Sequence, residues 1–224
     1  TLWSYATVGH SSPDLFDAAA TEAIKKFDSF EAQSISNTLW ALSVMDRNLD
    51  PAMLLFHHQL KLKGLREFGF SSKALRQLHQ AIIWINREHE RKLAIPDDLA
   101  NNCLSAFTEP KAKSSKLQKD VFSVIESLGL DICQEAICDQ TGYSIDFIVT
   151  TKDGNEIALE VDGPTHFIGR SPTGSTILKQ RQLGKLGKIP LLSLPYWRWG
   201  DLGINEDKQK FLEKEFQKVI SKNY

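Results

Sequence analysis

The sequence predicts an α+β protein in two parts, a helical-repeat array followed by a domain that mixes strands with helices. Three observations predict it: an internal period of 37 to 38 residues in the first part, a linker-like run Glu109-Pro110-Lys111-Ala112-Lys113-Ser114-Ser115, and two apolar–polar alternating segments beyond it. Composition agrees. The chain has 224 residues, 42% hydrophobic and 25% charged, with a net charge of −1, which excludes disordered and collagenous classes. Its longest apolar stretches, Ala81 to Ile85 and Ile189 to Leu194, are far shorter than the roughly 20 residues of a membrane span, so no membrane partner is expected. Cys103, Cys133 and Cys138 are odd in number and lack CxxC spacing, which points to neither a disulfide framework nor a zinc site and suits a reducing compartment.

The period shows in Thr1-Leu2-Trp3-Ser4 against Thr38-Leu39-Trp40-Ala41, a shift of 37, and in Pro13 against Pro51, a shift of 38. Within a unit, Leu15, Ala18, Ala19, Ala23 and Ile24 form one helical stripe and Ile35, Leu39, Leu42 and Met45 another, so each unit reads as two helices. Ser12-Pro13-Asp14 opens a helix with a cap and an early proline, and Phe27-Asp28-Ser29-Phe30 breaks the chain before the next. A third, eroded copy runs from Ser72 through Leu75, Leu78, Ile82 and Trp84 to His89. Such units cannot bury their apolar faces alone, so an α-solenoid of helical hairpins is expected over residues 1–92, about two and a half copies, truncated at the start. The chain opens on Thr1 without a Met or a signal-peptide profile, and further repeats are expected upstream. Trp3 and Trp40 are expected to fill helix contacts. The run Phe30-Glu31-Ala32-Gln33-Ser34-Ile35-Ser36-Asn37-Thr38-Leu39-Trp40-Ala41-Leu42, on that period, resembles the octotricopeptide and heptatricopeptide repeats of organellar RNA-binding proteins.

Residues 93–113 read as a short helix, capped at Pro96-Asp97-Asp98 and running through Phe107, followed by the linker. Residues 114–224 then form the second domain. An amphipathic helix from Leu117 to Leu128 presents Val121, Ile125 and Leu128 on one face. Tyr143, Ile145, Phe147 and Val149 alternate with polar positions, as do Ile157, Leu159 and Val161, and the turn Lys152-Asp153-Gly154-Asn155 between them predicts an antiparallel hairpin. Burying both apolar sets on one face requires opposed residues whose numbers have an even sum, and hence an odd loop or a bulge at Gly154. Asp146, Glu160 and Asp162 then share the other face. Two readings are open for them: polar residues turned to water, or carboxylates for Mg²⁺, which takes one or two carboxylates with water and phosphate oxygens. Glu160-Val161-Asp162 runs at once into Gly163-Pro164-Thr165-His166, which presents His166 at a strand end.

The charge is unevenly distributed. From Gly163 to Gly200 there is no acidic residue, while Arg170, Lys179, Arg181, Lys185, Lys188 and Arg198 make the window +6. A helix is predicted from Thr176 to about Lys188, on which Arg181, Lys185 and Lys188 can share a stripe. Trp197 and Trp199 bracket Arg198. Cations for phosphates and rings for bases together suggest RNA, and the competing reading is a solvated basic helix with the tryptophans in a core.

Ile157 through Phe167, Thr173 through Leu183, and Pro190-Leu191-Leu192-Ser193-Leu194-Pro195-Tyr196-Trp197-Arg198-Trp199 together resemble the RAP domain. The resemblance implies a restriction-endonuclease-like α/β fold with a small mixed sheet flanked by helices, and a role in organellar RNA metabolism. It matches Asp146 and Glu160 to the two acids of such sites. Asp162 stands where a catalytic Lys is usual, leaving His166 or Lys179 to replace it. The function expected is an organellar RNA-binding protein acting in RNA processing, stability or ribosome assembly, in the mitochondrion by preference and the chloroplast as alternative. RNA contacts are expected from His166, Arg170, Lys179, Arg181, Lys185, Lys188, Trp197, Arg198 and Trp199, with no cofactor for binding. The alternatives are a Mg²⁺-dependent ribonuclease and a structural component among the proteins of an organellar ribonucleoprotein. The ribonuclease would use Asp146, Glu160 and Asp162 as metal ligands and catalytic groups, with His166 or Lys179 moving protons.

Overall fold

The computed structural model of the chain describes residues 1–63, 70–109 and 114–222. The helices in chain order are α1 (Leu2–Thr7), α2 (Pro13–Lys25), α3 (Ala32–Met45), α4 (Leu49–Lys63), α5 (Ser72–Ile83), α6 (Asp97–Thr108), α7 (Lys116–Ser127), α8 (Gly174–Leu186), α9 (Tyr196–Gly200) and α10 (Asn205–Ser221). The strands are β1 (Asp131–Ile137), β2 (Ser144–Thr150), β3 (Glu156–Asp162), β4 (Phe167–Ile168), β5 (Ser171–Pro172) and β6 (Leu191–Pro195). The chain divides into two compact units. One holds Thr1–Glu109 with Ile168–Gln182, the other Pro110–Phe167 with Leu183–Tyr224.

In the first unit α3 packs against α1 and α5, α2 packs on α4, and α5 on α6. Pro13 sits in the first turn of α2, where its missing N–H costs nothing, although Ser12 makes no side-chain cap bond. Ser71 caps α5 by accepting from the Ala74 N–H. α5 continues into a π-helical turn, Trp84–Glu88. The core gathers Phe16, Leu39, Leu42, Leu78, Trp84 and Ile85, all essentially buried. On α2 the buried residues are Phe16, Ala20 and Ala23, a stripe turned slightly from the one the spacing predicts, because Phe16 is the largest apolar group available on that helix. Trp40 is buried and its Nε1 donates to Gln80 Oε1 at 2.9 Å, whereas Trp3 is half-buried under the Lys73 ammonium.

Leu178, on α8, completes this helical core. The sequence places 168–182 with the second domain; the structure assigns it to the first unit, because Leu178, Arg181 and Gln182 all have their partners among residues 1–109. Gly174 is required there: a Cβ would run into the Ala6 carbonyl oxygen. Of the linker-like run, residues 110–113 lie outside the described residues.

The second unit is built on a four-stranded sheet in the order β1-β2-β3-β6, antiparallel except for the parallel β3–β6 pair. β2 and β3 pair Phe147 with Leu159 and Val149 with Ile157, an even sum as the burial argument demands, and the intervening turn places Gly154 at φ +79°. The odd face packs under α7 and α10, with Val121, Ile125, Phe147, Val149, Ile157, Leu159, Leu212 and Phe216 in its core. A capping box opens α7: Ser115 accepts from the Gln118 N–H while the Gln118 side chain accepts from the Ser115 N–H. Strands β1 and β6 and helix α10 were not among the elements the sequence predicts.

Candidate nucleic-acid interface

The sheet face opposite the α7–α10 core carries the three carboxylates, and it is not a water-facing surface: Glu160 and Asp162 are each 2% exposed. A buried carboxylate needs hydrogen bonds to persist. Asp162 has them. Its Oδ2 accepts from Ser193 Oγ on β6 at 2.5 Å, and its Oδ1 lies 2.9 Å from His166 Nδ1. Asp146 is held differently, with Oδ1 accepting from the Gln118 side chain at 2.8 Å and Oδ2 from the Val161 backbone N–H at 2.7 Å. It thereby satisfies a strand N–H just where the last β2–β3 pair, Phe147 with Leu159, gives way.

These engagements bear on the expected metal ligands. Each oxygen of Asp146 and Asp162 already faces a donor, and among the described residues no group of three His, Cys, Asp or Glu side chains is placed to hold a metal ion. The carboxylates of Asp146 and Asp162 thus serve as acceptors for neighbouring protein groups. What the sequence missed is Ser193, an isolated hydroxyl in Leu-Leu-Ser-Leu-Pro. Its place is set by the parallel register, Glu160 beside Ser193 and Asp162 beside Pro195, which is legible only once β6 is recognised as the neighbour of β3.

The basic window separates into bound and exposed cations. Arg181 is a correction. Its Nε donates to Glu88 at 2.8 Å and its other nitrogens donate to the Val44 carbonyl at 2.9 Å and to that of Ser43. Its side chain is 17% exposed against 0% for Glu88, so the guanidinium neutralises a buried acid and caps the α3 C-terminus, whose last carbonyls have no partner within the helix. Gln182 joins it, donating to Glu88 at 2.9 Å and to the Gln80 carbonyl at 3.0 Å. The stripe of Arg181 with Lys185 and Lys188 therefore does not present three phosphate-binding groups. Lys185 and Lys188 are exposed, as is Arg170, and Lys179 is half-buried.

The tryptophan pair also separates. Trp199 is 2% exposed, in the α7–α10 core, and its Nε1 donates to Asp120 Oδ2 at 2.6 Å. Hydrogen bonds from Lys208 and from Trp199 hold the Asp120 carboxyl below the usual range. Arg198 pairs with Glu215 on α10 at 3.1 Å and lies over the Phe211 ring, and its hydrogen bond lowers the Glu215 carboxyl despite some burial. Trp199 ties α9 to α7 and Arg198 ties it to α10; burial turns Trp199 away from the RNA contact expected of it, whereas the Arg198 side chain stays 38% exposed. Trp197 differs. It is half-buried and meets Phe167 edge-on at 4.4 Å between centroids and Tyr196 at 5.2 Å. Phe167 and Tyr196 stand in the stretches that carry the resemblance, yet nothing in their spacing marked them out before the folds of the two strand ends were known.

Residues 159–215 match the family model described as the RAP domain. The chain is also similar to a protein described as "RAP domain-containing protein, chloroplastic" from Oryza sativa subsp. japonica, 29% identical over 103 residues. That similarity covers 45% of this chain but 15% of the relative. The location in that relative's name is the chloroplast, and the preference for the mitochondrion finds no support in it. The matched stretch contains Asp162, His166, the basic window and the aromatic cluster, and residues 159–215 of this chain are a RAP domain.

Proposed function

We propose that the chain binds single-stranded RNA in an organelle, the plastid in preference to the mitochondrion, and acts in RNA processing, stability or ribosome assembly. The observation that carries this reading is the RAP domain itself, with exposed Lys185 and Lys188 inside an acid-free stretch. The alternate packing of α1, α3 and α5, and of α2 on α4, supports a stack of helical hairpins preceding it. Among the described residues no helix is long and apolar enough to cross a membrane. A Mg²⁺-dependent ribonuclease is the less favoured reading, since Asp146 and Asp162 already accept hydrogen bonds from Gln118, Val161 and Ser193.

Phosphate contacts release counterions, so binding to a single-stranded RNA should fall steeply with salt, with a slope near −0.7 for each phosphate neutralised. Substituting both Lys185→Ala and Lys188→Ala should flatten the slope of log affinity against log salt by about 1.4. Fluorescence anisotropy across a salt series checks it, and an unchanged slope would remove these lysines from the interface. Sedimentation of the chain with organellar ribonucleoprotein distinguishes the two roles: co-migration that survives high salt marks a fixed component, and its loss marks a transient RNA-binding factor.

A further inference from the structure

The parallel strands β3 and β6 end side by side, with Asp162 the register partner of Pro195. In open sheets that contain parallel strands, ligands settle outside the strands' carboxyl ends. From β3 the chain turns through Gly163-Pro164-Thr165 to His166 and Phe167; from β6 it turns directly into α9, which begins with Tyr196 and Trp197. One end of the pair therefore collects an imidazole and three aromatic rings. Phe167 meets Trp197 at 69° and 4.4 Å, Tyr196 meets Trp197 at 83° and 5.2 Å, and Phe167 and Tyr196 are 6.3 Å apart. All three are half-buried. Edge contacts of Phe167 and of Tyr196 with Trp197 order these rings, so a base that stacks on them meets a surface already ordered.

The His166 ring is oriented as firmly. Its Nδ1 faces Asp162 Oδ1 at 2.9 Å, and a carboxylate only accepts, so the hydrogen is assigned to Nδ1. Asp162 is itself fixed by the hydroxyl of Ser193. In the neutral ring this arrangement makes Nε2 an acceptor, on a side chain that is 38% exposed while its aspartate is 3% exposed. An acceptor beside a stacking platform is matched by a ligand that brings a base and, a few ångströms from it, a hydroxyl donor. A ribonucleotide has both, and a deoxyribonucleotide lacks the 2′-hydroxyl.

We propose that the carboxyl end of the β3–β6 pair is a ribonucleotide subsite: Trp197, with Phe167 and Tyr196, stacks one unpaired base, and His166 accepts a hydrogen bond from that nucleotide's 2′-hydroxyl. Asp162 and Ser193 are positioning residues that set the ring. The subsite rests on the RNA-binding reading and adds to it the means by which RNA is told from DNA.

The test uses the full chain and a fluorescein-labelled single-stranded RNA with its all-deoxy counterpart of equal sequence, at one salt concentration. The wild-type chain should prefer RNA by about 2- to 10-fold, the range for one hydrogen bond. His166→Ala should bring the RNA-to-DNA affinity ratio close to one, Ser193→Ala should lower it partway, and Trp197→Ala should weaken RNA and DNA alike by about 5- to 150-fold. A second measurement needs no variant: replacing each ribose in turn by deoxyribose should locate the preference at a single nucleotide. A wild-type ratio retained in folded His166→Ala, or a preference spread evenly along the RNA, overturns the subsite while leaving RNA binding intact. A wild-type chain that binds neither nucleic acid overturns the RNA-binding reading and the subsite with it.

Discussion

Removing the Arg181 guanidinium takes away the cation that neutralises Glu88, a carboxylate whose side chain is fully buried, and it strips two carbonyls at the end of α3 of a donor. Breaking a buried pair on one side costs about 3–5 kcal/mol. Arg181→Ala should lower unfolding free energy by that amount in urea titrations, and a loss below about 1 kcal/mol would show that the group is dispensable to packing. Asp46, in the left-handed conformation at φ 54°, ends the same helix and accepts from Trp84 Nε1 and His89 Nε2, each at 2.7 Å. Burial alone would raise its carboxyl, but those hydrogen bonds and the Arg181 charge prevail and hold it below the ordinary 3.8. A depressed folded value means that the stabilisation is complete above the unfolded pKa and disappears as pH falls through the folded one. Asp46→Asn should therefore flatten the decline of stability below about pH 4, which unfolding curves between pH 3 and 6 would register. An acid limb identical to wild type would place that sensitivity elsewhere.

At the scale of elements, strong periodicity was legible and context was not. Tyr143 to Thr150 and Glu156 to Asp162 show period two, and the structure gives β2 and β3 there, with the even-sum register. Strand β1 escapes such reading because Asp131-Ile132-Cys133-Gln134-Glu135-Ala136-Ile137 alternates weakly, and most of it is exposed. β6 escapes because Leu191 to Pro195 is a short apolar run that spacing cannot tell from helix. The carboxylates were placed on one face, yet their partners, Ser193 on β6 and Gln118 on α7, come from elements far along the chain. Period also cannot separate a surface cation from a buried one: Arg181 and Lys185 lie one turn apart on α8, and only the elements around them decide which meets water. Close approach on that helix makes a further prediction. Since a Cβ at Gly174 would enter the Ala6 carbonyl, Gly174→Ala should destabilise the chain by about 1–3 kcal/mol despite alanine's better helix propensity. Thermal unfolding measures it, and a variant as stable as wild type would mean that α1 yields without cost.

For the molecule as a whole, unit membership and chain order disagree. The segment Ile168–Gln182 belongs with the helices of residues 1–109, although it lies inside the stretch, 159–215, that matches the RAP domain. Glu88 and Arg181 are separated by 93 residues, and the Val44 carbonyl and Arg181 by 137. A ribosome adding about 5–20 residues each second releases the helices of the first unit roughly 5–20 s before the residues that complete them. Through that interval Glu88 lacks its guanidinium and the core lacks Leu178, so helices made earlier wait on residues made later to complete their packing. For the nascent protein, synthesis of Ile168–Gln182 is a maturation step for the helices of residues 1–109.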